Sequence, residues 1–149
     1  MSEIMKAIIQ RVKHASVAID GKIHSQIKEG CLVLLGIDKT DKTENADKIA
    51  EKLVNLRIFE DEQGKMSKSV KDIGGELLIV SQFTICADLK KGNRPSFDNA
   101  MIPDEANKLY EHTVEQIKKY EVPVQTGVFG AHMEVNLLNN GPVTFILER

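Results

Sequence analysis

Residues 31–37, Cys31-Leu32-Val33-Leu34-Leu35-Gly36-Ile37, form an unbroken apolar run. A half-covered strand alternates apolar and polar side chains, so a run without alternation reads as a strand buried on both faces. It is far short of the about 20 residues a membrane span requires. Upstream, Ala7-Ile8-Ile9-Gln10-Arg11-Val12 is β-branched and strand-like, and Ser16-Val17-Ala18-Ile19 follows as further strand. Asp20-Gly21 is a favoured two-residue hairpin turn, and Lys22 to Ile27 returns with Ile23 and Ile27 opposite His24 and Gln26. Downstream the period changes. From Thr43, the residues Ala46, Ile49, Ala50, Leu53 and Val54 recur at helical spacing, with Thr40, Asp41 and Thr43 offering oxygens for the cap.

Asp61 to Lys65 is a polar turn, and Glu76 to Thr84, introduced by Gly74-Gly75, reads as the second strongly apolar strand. Leu89 to Asn99 is a long basic loop carrying Lys90, Lys91 and Arg94. Pro103-Asp104-Glu105 opens a second helix whose buried stripe is Ala106, Leu109, Tyr110, Val114 and Ile117. Met133 to Leu137 alternates, Asn139-Asn140-Gly141-Pro142 turns, and Val143 to Leu147 closes as a strand. The pattern predicts one α/β domain over 1–149, a mixed and largely antiparallel β-sheet of barrel or roll type with two main helices.

The 149 residues are 42% hydrophobic and 28% charged, an ordinary globular balance that excludes wholesale disorder. Lys plus Arg number 20 against 22 for Asp plus Glu, a formal net charge of −2. A protein coating duplex nucleic acid along its length is usually strongly basic, so DNA is disfavoured as a partner, while small basic patches gripping one nucleic-acid end are allowed. Cys31 and Cys86 make neither a disulfide framework nor a CxxC pair, and Met1 to Lys6 lack a signal-peptide core. A soluble, cytoplasmic protein with no membrane partner is expected.

Generic active-site patterns are absent. There is no GxGxxG or GxxxxGK[ST] loop, and His14, His24, His112 and His132 are scattered without metal-ligand spacing, so neither a metal nor a cofactor is expected. Ser81 lacks the G-x-S-x-G elbow of an exposed nucleophile. Two stretches are unusual. Ser81-Gln82-Phe83-Thr84 places polar residues at the end of a buried strand, either emerging into solvent or presenting backbone amides to a ligand. Asn140-Gly141-Pro142 is either a hairpin with an edge proline or a cis peptide, and spacing does not decide between them.

Ser81-Gln82-Phe83-Thr84-Ile85 paired with Asn140-Gly141-Pro142-Val143-Thr144 resembles the two signature motifs of the D-aminoacyl-tRNA deacylases, also called D-tyrosyl-tRNA deacylases. The resemblance runs through Ile9-Gln10-Arg11-Val12, Leu56-Arg57-Ile58-Phe59-Glu60-Asp61, Arg94-Pro95-Ser96-Phe97 and Thr126 to Met133. It implies a metal-free homodimer with active sites at the subunit interface. The substrate implied is the ester joining a D-amino acid, or glycine on the alanine tRNA, to the tRNA 3′-terminal adenosine. By resemblance, Gly141 and Pro142 form a cis chirality gate entering the partner's site, where their carbonyls occupy the space an L side chain needs. Ser81 and Phe83 are implied to offer strand-end amides, Gln82 to frame the pocket, and Thr84 to stand where the family's threonine has been cast as nucleophile. No sequence neighbour supplies Thr84 with a base, so substrate positioning with help from the tRNA 2′-hydroxyl is the alternative. Phe129 and Met133 resemble an adenine-binding wall, ordinary core being the alternative, and Arg11 resembles the arginine that orients the Gly-Pro motif, a surface charge being the alternative.

The chain departs from the common pattern at Cys86, where an aromatic often sits, and at Asn140, a frequent Asp; Met1 to Ile4 read as an extension. Lys65, Lys68, Lys71, Lys90, Lys91 and Arg94 are candidate acceptor-stem phosphate contacts. A noncatalytic tRNA-end binding module and a small-ester serine hydrolase using Ser81 are the rival readings.

Overall fold

The computed structural model describes residues 4–149, so Met1 to Glu3 of the expected extension lie outside the described residues. The apolar run is strand β3 (Gly30–Gly36), set between an antiparallel neighbour, β1 (Lys6–Ile19), and a parallel one, β6 (Glu76–Ser81). Its alternate residues serve two cores. Cys31, Val33 and Leu35 face the helices, while Leu32 joins Val12, Ala15, Val17, Ile27, Leu78 and Val80 inside the curved sheet. Double burial of this run is thus met by two distinct hydrophobic layers. Gly30 is required by close approach, since a Cβ there would stand 1.8 Å from the Glu76 carbonyl oxygen.

The two expected N-terminal strands are one 14-residue strand, β1. It turns through Asp20 (φ 51°) and Gly21 (φ 79°) into β2 (Lys22–Ile27), the paired positive φ that suits a two-residue hairpin. A bulge intervenes: Val17 pairs with Ser25 but Ala18 with Ile23, leaving His24 extra. A one-residue slip moves side chains to the other face. Ile23 is therefore 59% exposed, against expectation, and Ser25 and Ile27 take the buried face.

The first half of β1 pairs with β3, its second half with β2, and β8 (Glu134–Glu148) runs along its opposite edge. β7 (Val124–Thr126) pairs parallel to β6. Ser25 Oγ donates to the Thr126 carbonyl at 2.8 Å, tying β2 to β7 and nearly closing the sheet into a barrel. A small hairpin, β4 (Phe59–Glu60) and β5 (Met66–Lys68), lies apart; Asp61 at its turn accepts from the amides of Gln63 (2.8 Å) and Lys65 (3.0 Å).

Helix α1 (Thr43–Asn55) starts at the expected residue, but its cap is built differently. Lys42 is the cap residue and its amide donates to Asn45 Oδ1 at 2.8 Å, while Asp41 accepts from the Asp38 amide. Helix α2 (Pro103–Lys118) opens on Pro103, where the missing N–H costs nothing, and packs on α1. Tyr110 of α2 donates its hydroxyl to the Ile79 carbonyl at 2.6 Å and so fixes the helix over β6.

Two expectations are corrected. The strand read as Glu76 to Thr84 ends at Ser81; the Gln82 amide donates to the Leu35 carbonyl at 2.9 Å, and Phe83–Cys86 wind into one 3-10 turn. Asn139 to Pro142 is not a hairpin, because β8 passes straight through and pairs with β1 on both sides of it. Val12 faces Asn139 and Gln10 faces Thr144, so residues 140–143 bulge outward opposite Arg11. Within this bulge the Gly141-Pro142 peptide is cis.

Candidate active site

β6 ends beside the start of α2, and the segment after β7 folds back over the same corner. Between them opens a cleft of about 910 Å³. Ser81, Gln82, Phe83 and Thr84 line one side, and Phe129 and Met133 line another. These six residues, assigned to one site from sequence, are therefore gathered by the fold. Ile37, Val80, Met101, Ala106 and Val135 complete an apolar wall.

The two aromatic-wall residues are held from behind. Phe129 leans on the Tyr110 ring, centroids 6.1 Å apart, and Met133 Sδ accepts from the Val128 amide at 3.4 Å. Gly127 leaves the space that the thioether fills, since a Cβ there would stand 2.6 Å from Sδ. The polar side is the 3-10 turn. Its backbone bonding begins with Ile85 donating to the Gln82 carbonyl, so the amides of Phe83 and Thr84 precede the first bond, as at any helix start. The Gln82 amide, in contrast, is committed to Leu35, so the amides ahead of the turn are that of Phe83, which the resemblance implied, and that of Thr84, which it did not.

Gln82 Nε2 donates to Thr84 Oγ1 at 2.9 Å. An amide donor does not remove a proton, so this contact orients the hydroxyl without activating it. Among the described residues the cleft lining includes no Asp, Glu, Lys or Arg; its one ionisable side chain is His132, which sequence reasoning had set aside with the other histidines. Burial pushes the Cys31 thiol up to about 12 and the Cys86 thiol up to about 11, so neither is a thiolate nucleophile. No three His, Cys, Asp or Glu among the described residues stand together as a metal site.

Arg11, Gly141 and Pro142 do not line this cleft. Gly141 and Pro142 form the exposed part of the β8 bulge, and Arg11 lies opposite it on β1. Arg11 is 7% exposed, not a surface charge. Its Nε donates to the Asn140 carbonyl at 2.8 Å and its Nη1 to the Ile58 carbonyl at 2.9 Å, with Glu60 3.6 Å from Nη2. Asn139 closes the bulge from the other side, accepting from the Val143 amide at 2.8 Å and donating to the Val143 carbonyl at 3.2 Å.

Phe97 was missed as a site residue: it lines the cleft mouth, edge-on to Phe83 with centroids 5.0 Å apart. The sequence carried no periodic signal for it, because it sits on a loop whose path only tertiary contacts fix.

A barrel-like mixed sheet with two helices opens at one strand end into a cleft that sets Phe129, Met133 and other apolar side chains against the start of a 3-10 turn. Residues 8–148 match the family model described as D-Tyr-tRNA(Tyr) deacylase. The chain is 58% identical over 144 residues to the D-aminoacyl-tRNA deacylase of Geotalea daltonii, covering 97% of this chain and 96% of that protein. It is 55% identical to that of Thermosipho africanus, covering 97% of each. A solved structure titled c-Myc DNA Unwinding Element Binding Protein superposes with a TM-score of 0.91 at 44% identity, covering 97% of this chain and 98% of that one. The chain belongs to the D-aminoacyl-tRNA deacylase family, ester hydrolases acting on aminoacyl-tRNA.

Proposed function

We propose that the protein is a chiral proofreading enzyme that frees tRNA of D-amino acids, and of glycine on the alanine tRNA, while leaving L-aminoacyl-tRNA intact. The observation that carries this reading is the single cleft in which Ser81 to Thr84 meet Phe129 and Met133. The terminal adenine lies against Phe129 and Met133, and the ester carbonyl points to the amides of the Phe83–Thr84 turn. Ser81 and Gln82 frame the reacting end.

The chemistry fits a cleft without carboxylates. Water adds to the ester carbonyl carbon, the bond to the ribose 3′-oxygen breaks, and the water's proton ends on that oxygen, releasing amino acid and tRNA. The amides stabilise the oxyanion, and the vicinal 2′-hydroxyl of the substrate relays the proton. Thr84 then serves as a positioning residue.

Chirality comes from a second copy of the chain. The Gly141-Pro142 bulge is exposed, and Arg11 holds it from beneath through the Asn140 carbonyl. In a homodimer it enters the partner's cleft and fills the position an L side chain would occupy, whereas a D side chain points outward and glycine has none. The cytoplasm, where aminoacyl-tRNA is made, is the proposed location. The solved relative titled as a DNA unwinding element binding protein raises DNA as a partner for that protein; a net charge of −2 favours gripping one nucleic-acid end over coating a duplex.

Incubation with D-tyrosyl-tRNA and L-tyrosyl-tRNA tests the proposal. Rapid loss of the D ester alone is expected; equal hydrolysis of both, or of neither, overturns it.

A further inference from the structure

The proposed reading uses the inner cleft and leaves its mouth unexplained. There Phe83 is 58% and Phe97 41% exposed, two phenyl rings kept at the surface although burial of each would be favourable. Their planes meet at 67°, an edge-to-face contact that leaves ring face open to solvent. The rings are held in place. Asp88 and Ser96 exchange backbone bonds of 2.8 and 3.0 Å at the root of the loop, and Lys39 donates to the Asn99 carbonyl at 2.8 Å just past Phe97. The loop so pinned carries Lys90, Lys91 and Arg94, all exposed, at its tip. Its acids lie at its roots: Asp88 is turned onto the Lys90 amide, and Asp98 follows Phe97.

A fixed, exposed ring beside a cationic tip has the two parts of a single-stranded nucleic-acid site, a stacking surface and a phosphate partner. We propose that Phe97, supported by Phe83, is a second nucleotide subsite that stacks the base immediately 5′ of the terminal adenosine, with Lys90, Lys91 and Arg94 on the adjoining phosphates. This rests on the terminal adenosine occupying the cleft as proposed above. It assigns the enzyme's recognition of tRNA over a bare aminoacyl nucleoside to a ring outside the chemistry.

The experiment compares two substrates, D-tyrosyl-tRNA and 3′-O-D-tyrosyladenosine, which lacks the second base and all phosphates. For Phe97→Leu, kcat/KM on the tRNA is expected to fall about tenfold, mainly through KM, and several times more than on the nucleoside ester. Phe97→Trp, which keeps an aromatic face, is expected to retain the tRNA preference. Replacing Lys90, Lys91 and Arg94 together with Gln is expected to lower the salt slope of log kcat/KM on the tRNA by about 2. Equal losses on both substrates for Phe97→Leu, or no loss on either, overturn the subsite and leave Phe97 a cleft wall. If the Leu variant does not fold, loss of the tRNA preference in Phe97→Trp together with an unchanged salt slope in the triple variant overturns it. Wild-type inertness toward both D-esters would instead refute the proposed function itself.

Discussion

Two strand interruptions carry the motifs of this molecule, and they are built in opposite ways. At the end of β6 the chain stops pairing after Ser81, and the turn that follows leaves the Phe83 and Thr84 amides ahead of its first bond and a phenyl ring in solvent. In the middle of β8 the chain also leaves its register, yet the buried Arg11 takes up the Asn140 carbonyl and Asn139 takes up both polar groups of Val143. The first region keeps the Phe83 and Thr84 amides ahead of its first bond beside an apolar cleft; the second ties Asn140 and Val143, on either side of Gly141-Pro142, into side-chain hydrogen bonds. Under the proposed function, the surface that binds leaves groups unspent, whereas the surface that excludes by shape spends them on its own rigidity.

The severest way to break the comparison removes the layer on which both regions stand. Burial pushes the Cys31 thiol up to about 12, the Cys86 thiol up to about 11 and the Tyr110 hydroxyl up to about 12. Cys31 pairs with Arg11 across β1 and β3, and Tyr110 anchors α2 to β6, so these groups underlie both regions. Since the folded pKa values lie above the ordinary 9.0 and 10.0, the neutral forms stabilise the fold fully below pH 9.0, and that contribution is lost as pH rises through the raised values. Urea midpoints should therefore be flat from neutrality to about pH 9 and fall steeply above it. A midpoint unchanged at pH 11 would show these groups already solvated.

Arg11→Met separates the two regions. It removes the donors to the Asn140 and Ile58 carbonyls and should cost about 3 kcal/mol in urea denaturation, since hydrogen bonds to a buried charge are worth more than neutral ones. Glu60 is half exposed and contributes little of this. The bulge should loosen while the cleft keeps its affinity for adenosine, so D/L discrimination falls and nucleoside binding does not. Loss of both together would mean that the regions are one mechanical unit.

A finer comparison sets one glycine from each region side by side. Gly141 has φ +154°, and a Cβ there would meet the Val143 amide nitrogen at 2.7 Å and Val143 Cγ2 at 2.5 Å. Gly130, beside the cleft, has φ +78° and nothing within 4 Å. Gly130→Ala bears only the left-handed backbone penalty, about 1 kcal/mol, whereas Gly141→Ala adds a clash with backbone and should cost about 2–3 kcal/mol. Equal costs would mean the bulge is as yielding as a free loop.

How far this difference could be read from the sequence depends on the range of the forces involved. β3, both helices and the Asp20-Gly21 turn follow from local pattern, because burial on one or two faces imprints a period on ten or so neighbouring residues. The extra residue at His24 and the continuation of β8 past the bulge at Asn140-Gly141 did not follow. Both are settled by pairing with β1, more than a hundred residues away in the case of β8. The site divides in the same manner. Ser81 to Thr84 stood out as polar residues ending an apolar strand, but Phe97 and His132 reach the cleft only through loop paths that carry no periodicity. The burial of Arg11 was illegible for a related reason: a charge in a strand reads as surface until the carbonyls that receive it, Ile58 and Asn140, are brought to it from distant segments.

The smallest expected effect sharpens the comparison most. If the end of β6 works through backbone donors and position, Thr84 should matter little as a hydroxyl. Its Oγ1 accepts from Gln82 Nε2 at 2.9 Å, and no carboxylate lines the cleft among the described residues to draw its proton. Thr84→Val keeps the shape and removes the oxygen, leaving the Gln82 amide to turn toward solvent. Single-turnover hydrolysis of D-tyrosyl-tRNA should slow by less than about tenfold, under about 1.4 kcal/mol of transition-state stabilisation. Loss of an essential nucleophile costs about a thousandfold or more, a gap wide enough to decide the matter. A drop of that size, with adenosine binding unchanged, would make the hydroxyl a reacting group. The open strand end would then be a catalytic device in its own side chains, and the contrast with the β8 bulge would lie in chemistry as well as in rigidity.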